Sequence, residues 1–410
     1  MVEPKKGVTA KISSSGCTMP YGLFKNLILG LVCVSVFGGV NFGSLAWSQE
    51  TVDDAILTIE KLGGATWEPG SARQDGLIPL HPVIQNLCEP CCPDWSHYGI
   101  VDFMFLQRDN ATSGAVITEE SVGGQPPVPL FTTRSMQAAT APGMRLFYGE
   151  LGPDCMGWEV GYLGVYGMFG AVDRSANDTL SIPGLLGSIP GWNSADEVRP
   201  TYASSLNTVE ANIFTYRCCP ECSSDSFLWS HLGNKPVCHC SNWLFGFRWA
   251  GLEEQADLNV LCCRATNDVF TSYSVRTSSQ MLGPQVGFRG RRQWKNWAVE
   301  GWAKAMLAGT LLSSNADPIF TSLAPGKPYR EARRLTDAGV GFLGDLNYTV
   351  TRRLNDTWWL RLGYNMIWLS GVALAPDQWD FTKTLTGGTT LVGGGGVFLH
   401  GANLGLEARW

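Results

Sequence analysis

From Tyr98 to the final Trp410 the chain repeats one pattern: segments of about ten residues in which apolar side chains alternate with glycine, amide or charged ones. A period of two is the strand period, because successive side chains of an extended backbone point to opposite faces. In GIVDFMFLQ one face carries Val101, Phe103 and Phe105 and the other Asp102. In GMRLFYGE, Met144, Leu146 and Tyr148 alternate with Arg145 and Phe147. GWEVGYLGVYGMFG sets Trp158, Val160, Tyr162 and Tyr166 against Glu159, Gly161 and Gly167. TVEANIFTY sets Val209, Ala211 and Ile213 against Glu210 and Asn212, and NWLFGFRWAG opposes Trp243, Phe245, Phe247 and Trp249 to Gly246 and Arg248. The C-terminal half continues with SSQMLGPQVGFRG, AGVGFLGDLNYTV and TWWLRLGYNMIWL, whose inner positions include Arg289, Asp345 and Arg361. NWAVEGWAKAM is less regular, since Glu300 and Lys304 share a face with Trp302. The last segment, GVFLHGANLGLEARW, sets Phe398, Ala402, Leu404, Leu406 and Trp410 against Gly401, Asn403, Gly405, Glu407 and Arg409.

Ten such strands constrain the fold strongly. In a soluble sandwich the polar face would meet bulk water and carry Lys, Thr and Ser freely. Here that face holds both signs of charge diluted by glycine, while aromatics crowd the apolar face near strand ends. A barrel in a membrane requires this division, apolar outward and polar inward with Trp and Tyr at the interfaces. Closure is required as well, because lipid cannot satisfy a free strand edge. The expected fold is all-β: a single antiparallel up-and-down transmembrane β-barrel of ten to twelve strands over 97–410. Phe398, Leu404, Leu406 and Trp410 have the form of a barrel-assembly signal on the closing strand; the plainer alternative is the edge strand of a soluble sandwich.

Link lengths test this independently. With the last strand ending on the periplasmic side, long links fall outside at 371–393, 310–337, 171–206 and 109–142, with a shorter one near 253–268. The periplasmic links 351–356, 290–293 and 151–155 are short, and only the cysteine-bearing 218–241 is not. Short turns on one side and long loops on the other is the asymmetry of outer-membrane barrels. AVITEESV and VPLFTTRS, inside 109–142, can pair as an extra hairpin.

The N-terminus reads as an export signal covering 1–48. Lys5, Lys6, Lys11 and Lys25 precede the apolar run Leu27 to Val40, and cleavage is expected near Ala46 or Ser48. The run is short for a membrane-spanning helix, so an uncleaved anchor is the weaker alternative. Residues 49–96 form a short periplasmic segment with a cysteine cluster. The expected location is the bacterial outer membrane, and the expected partners are its lipid, the barrel-assembly machinery and small solutes. Nucleic acid is excluded as a partner, since a net charge of −6 leaves no basic footprint.

After removal of the leader eleven cysteines remain: Cys88, Cys91, Cys92, Cys155, Cys218, Cys219, Cys222, Cys238, Cys240, Cys262 and Cys263. In an exported chain they are disulfide candidates. A zinc site is the rival, from the CxxC within CCPEC together with Cys238, His239 and Cys240, but adjacent cysteines rarely share one tetrahedral metal. No metal or cofactor is expected. The lumen-facing ionisable groups are Asp102, Arg145, Glu159, Glu210, Arg248, Glu300, Lys304, Asp345, Arg361, Glu407 and Arg409. Balanced signs fit either a channel lining or a salt-bridged interior, and ten to twelve strands lie near the size that side chains fill. No GxSxG or HExxH occurs, and GGGG at 393–396 precedes a strand, so no enzyme is expected.

The stretches GFLGDLNYTVTRRLNDTWWLRLGYNMIWLSGVALAPDQ, LFGFRWAGLEE, SVRTSSQMLGPQVGF and FLHGANLGLEARW resemble the planctomycete outer-membrane family of β-barrel porins known as porin seven. The resemblance covers roughly 98–410 and implies an outer-membrane barrel, with no site residues to carry over. The function expected is a porin or passive solute channel. The alternative is a structural or adhesive barrel with a filled lumen and functional external loops.

Overall fold

The computed structural model describes residues 95–109, 112–121, 126–184, 188–219, 238–263, 269–294, 296–320, 326–382, 385 and 387–410. The leader, nearly all of 49–96, and Cys88, Cys91, Cys92 and Cys222 lie outside the described residues. Thirteen strands follow in order: β1 His97–Arg108, β2 Val116–Glu120, β3 Val128–Thr132, β4 Ala141–Leu151, β5 Met156–Ala171, β6 Arg174–Ser181, β7 Ala195–Cys219, β8 Cys238–Cys262, β9 Val269–Trp294, β10 Trp297–Ala316, β11 Arg333–Arg353, β12 Trp358–Val372 and β13 Gly395–Arg409.

Ten of them close a ring. β1 pairs with β4, β4 with β5, β5 with β7, and β7 through β13 pair in sequence. β13 then returns antiparallel to β1, Tyr98 opposite Arg409 and Phe103 opposite Leu404. These are the ten segments whose alternation marks them in the sequence. The hairpin expected within 109–142 forms as β2 and β3, but it stays out of the ring. It pairs through β6 to the start of β7, in a small sheet at the long-loop end.

The two ends differ as the link lengths require. β4–β5, β9–β10 and β11–β12 are joined by short turns at one end, where the chain also terminates. At the other end the expected links are shortened: 253–262 continues β8, 195–206 opens β7, and 310–316 and 333–337 extend β10 and β11 where loop was expected. β7, β8 and β9 run 25, 25 and 26 residues, against 12 for β1 and 11 for β4. At about 3.3 Å per residue, one wall of the ring outreaches the other by on the order of 40 Å of extended chain.

The outer face shows where lipid stops. On β8 the outward residues Trp243, Phe245, Phe247 and Trp249 are exposed, Phe247 at 66%, and Glu253, Gln255, Asp257 and Asn259 continue the same face. Asn207 of β7, Gly251 of β8 and Gln280 of β9 lie in one row across the sheet, and polar outward residues begin there. Aromatics mark both rims. At the short-turn rim His97 stacks on Tyr148 and Trp410, and Trp158 packs against Tyr148. At the other rim Tyr162 donates to Asn207 (2.8 Å), Trp249 to Gln280 (3.1 Å), and Tyr364 lies 2.6 Å from His400 Nδ1. Polar tips on apolar rings suit a lipid–water boundary. The fold is a transmembrane β-barrel; no helix among the described residues is long and apolar enough to cross a membrane.

One inward assignment fails. Gly167 faces outward beside Tyr166, because the β5–β7 register slips between Val165 and Met168. Two residues on β5 there oppose one on β7, a bulge, and glycine supplies its φ of +72°.

Candidate functional site in the barrel lumen

The eleven sequence-predicted ionisable positions all project into the ring, and the structure brings them together in linked groups. Arg361, on β12, donates from Nε to Asp102 (3.2 Å) and from Nη1 to Glu407 (2.8 Å), with Glu300 at 3.6 Å. Glu407 also accepts from Arg409 on its own strand. Glu159 receives Lys304 Nζ at 3.2 Å, Asn212 Nδ2 at 2.9 Å and the Tyr98 hydroxyl. Lys304 reaches Glu210 as well (2.9 Å), and Gln285 donates to the same carboxylate. Asp345 accepts from Arg248 (3.1 Å) and Trp302 Nε1 (3.2 Å), while Arg145 lies 3.4 Å away and donates to Asn365 (2.6 Å).

Trp302 explains the irregular segment of β10. It points inward with Glu300 and Lys304, 3% exposed, and the cations of Arg145, Arg289 and Lys304 lie 4.9, 5.4 and 5.6 Å from its ring. An aromatic face attracts cations, so a large side chain can fill the lumen among charges. Inward glycines serve the same packing. A Cβ at Gly161 would run into the Phe147 ring, and one at Gly405 into the Asp102 carboxylate. These glycines make room for neighbours rather than open space.

Among the buried charges that escaped the sequence tally are four on the inner face of the ring strands: Arg289, Arg291, Arg108 and Glu254. Arg289, placed inward but left uncounted, donates to Glu159 (2.9 Å), and Arg291 donates to Glu300 (3.1 Å). Arg108 lies 2.6 Å from Glu254. The signal was available: Arg291 and Arg108 continue the period-two faces of Arg289 and Asp102, and Glu254 that of Arg248.

Above this ionic layer the inner face changes character, which the sequence reading did not anticipate. Met104, Leu106, Leu163, Leu206, Leu252, Met281, Met306, Leu343, Ile367 and Leu399 belong to one buried apolar cluster to which all ten ring strands contribute. Toward the long-loop end a second cluster packs the links against the tall wall, with Trp192, Trp379 and Ile319 against Tyr202, Leu258, Val260 and Val275. Trp379 donates to the Tyr273 carbonyl (3.3 Å), and Thr271 to the Gly191 carbonyl (3.0 Å). Between the two sits Glu254, which accepts from Tyr202 (2.8 Å) and from the Ala375 amide (2.9 Å). Burial raises its carboxyl above the usual carboxylate range against the pull of Arg108. At the short-turn end Trp95, Tyr98, Phe214, Tyr216 and Leu244 close the ring from below.

The cysteines divide among these levels. Cys155 and Cys240 are buried in the short-turn cluster. Cys218, Cys219 and Cys238 fall within β7 and β8. Cys262 and Cys263, at the far tip of β8, lie at disulfide distance from each other. Among the described residues no group of His, Cys, Asp or Glu is arranged to hold a metal ion. The assembly-signal residues Phe398, Leu404, Leu406 and Trp410 all lie on the outward face of β13 and its end.

No family model and no curated protein matches the chain. Solved structures similar in fold include the outer membrane protease OmpT from Escherichia coli, at 10% identity over 78% of this chain and 97% of that one, TM-score 0.42. The Pseudomonas putida toluene transporter TodX matches at 10% over 78% and 90%, TM-score 0.18. A Pseudomonas aeruginosa FadL homologue matches at 8% over 77% and 90%, TM-score 0.24. The fold assignment rests on the closed ring itself.

Proposed function

We propose that this protein is an outer-membrane β-barrel with a filled, non-conducting lumen, whose long-loop end on the cell exterior is its working surface. Of the two functions the sequence allows, this is the structural or adhesive one. A single observation carries it: the apolar cluster to which every ring strand contributes lies across the path that a solute would take. Beneath it the lumen is occupied by paired charges whose side chains are almost wholly buried. A water-filled channel would leave such groups hydrated; here most of them are held in ion pairs with one another. The tall wall of β7 to β10, with the links packed into it, supplies a rigid external platform. No catalytic role is proposed.

Planar-bilayer recording tests this reading. The mature protein should insert and remain electrically silent at high protein load. Discrete conductance steps would restore the porin reading and overturn this one.

A further inference from the structure

The structure points to a small-anion site inside the barrel at its short-turn end, and we infer that it holds a monovalent anion such as chloride. Three observations converge. A cavity of about 30 Å³ lies there, lined on its polar side by Arg289, Arg291, Arg409, Glu300, Glu407 and Asn242 and capped by Trp95. That is room for a single halide or about two waters.

The second observation is an unused donor. Arg291 is 6% exposed; its Nη1 serves Glu300 and Glu407, but its Nε and Nη2 have no hydrogen-bond partner. Its guanidinium lies 4.7 Å from the Trp359 ring centroid, and Arg291 is one of the residues that line the cavity. Leaving a buried charged donor unpaired costs more than leaving a neutral one.

The third is charge. Below the Arg108–Glu254 pair, the described residues enclose seven bases, the six already paired above with Arg291 added to Arg145, Arg248, Arg289, Lys304, Arg361 and Arg409. Against them stand six acids: Asp102, Glu159, Glu210, Glu300, Asp345 and Glu407. The cavity wall repeats the imbalance, three arginines against two glutamates. An uncompensated charge away from bulk water is costly, and one bound anion at Arg291 removes both the excess charge and the unmet donors. Glu300 and Glu407 oppose an anion, so it must sit on the Nε–Nη2 edge, away from the Nη1 that they hold.

Bromide replaces chloride and scatters anomalously, so crystals of the whole protein grown in bromide read the site directly. An anomalous peak within hydrogen-bond reach of Arg291, absent from Arg291→Gln crystals, supports the assignment. Density without anomalous signal at that place means water only and overturns it, as does a peak that survives in Arg291→Gln. Should Arg291→Gln fail to fold, unfolding of the wild type carries the test. Its thermal midpoint should be higher in sodium chloride than in sodium gluconate of equal ionic strength, and equal midpoints contradict the site.

Discussion

The membrane-level ring and the tall wall above it are built from the same strands, yet their faces are inverted. On β8 below Gly251 the outward residues are Trp and Phe and the inward ones include Asn242 and Arg248; above it the outward residues are Glu253, Gln255, Asp257 and Asn259, and the inward ones, apart from Glu254, are the apolar Leu252, Ala256, Leu258 and Val260. β9 changes at the same height, from outward Leu282 and Val286 to outward Ser278, Arg276 and Ser274, with Tyr273 and Val275 inside. The backbone period is unbroken, so the inversion comes from the surroundings. Lipid selects apolar side chains for the outer face, and water selects polar ones. The ionic layer and the tall wall each place on the inside what their surroundings reject.

That comparison can be broken most sharply in the ionic layer. Arg361→Ala leaves Asp102, Glu300 and Glu407 without their shared cation, and should cost about 3–5 kcal/mol in urea unfolding from lipid vesicles. A loss below about 1 kcal/mol would mean that water already hydrates the layer. Above the membrane the same kind of damage comes from apolar truncation: Leu258→Ala should cost roughly 2–5 kcal/mol, the range for a buried leucine. If it proves neutral, the tall wall has no core.

The outer faces give a contrast that needs no core change. Phe247→Arg, on the lipid-facing side, should cost about 2–4 kcal/mol. Ser278→Arg, beyond the boundary row on β9, should stay within about 0.5 kcal/mol. Equal effects at the two sites would remove the boundary. The smallest expected effect is on pH. The folded carboxyl of Glu254 titrates above its ordinary value of 4.5, so the folded state holds this proton more tightly than the unfolded one. Its contribution is therefore present below about pH 4.5 and is lost as pH rises through the folded value. Protease resistance of the link after β12 should rise as pH falls through that window, and Glu254→Gln should flatten the dependence.

The inversion also explains what could be read from the sequence. Where lipid lies outside and charges inside, as at Phe245–Arg248 or Leu360–Leu362, each strand shows a large contrast between faces, and all ten ring strands were legible. Above the boundary the contrast changes sign, so EEQADLNV continues a strand while reading as a polar link. The inner apolar cluster was hidden for a related reason. In FMFL and MIWL both faces are apolar, and Leu106, Ile367 and Leu369 look like further lipid-facing residues until the ring closes. Arg108 and Glu254 sit 146 positions apart, so no local pattern could pair them.

Electrophoretic migration of the mature protein reconstituted in lipid, with and without boiling, tests the closed ring most directly. The unboiled sample should run as a compact species that shifts to the unfolded position on heating. Identical migration of the two samples, from protein that stays dissolved without detergent, would contradict a ring surrounded by lipid.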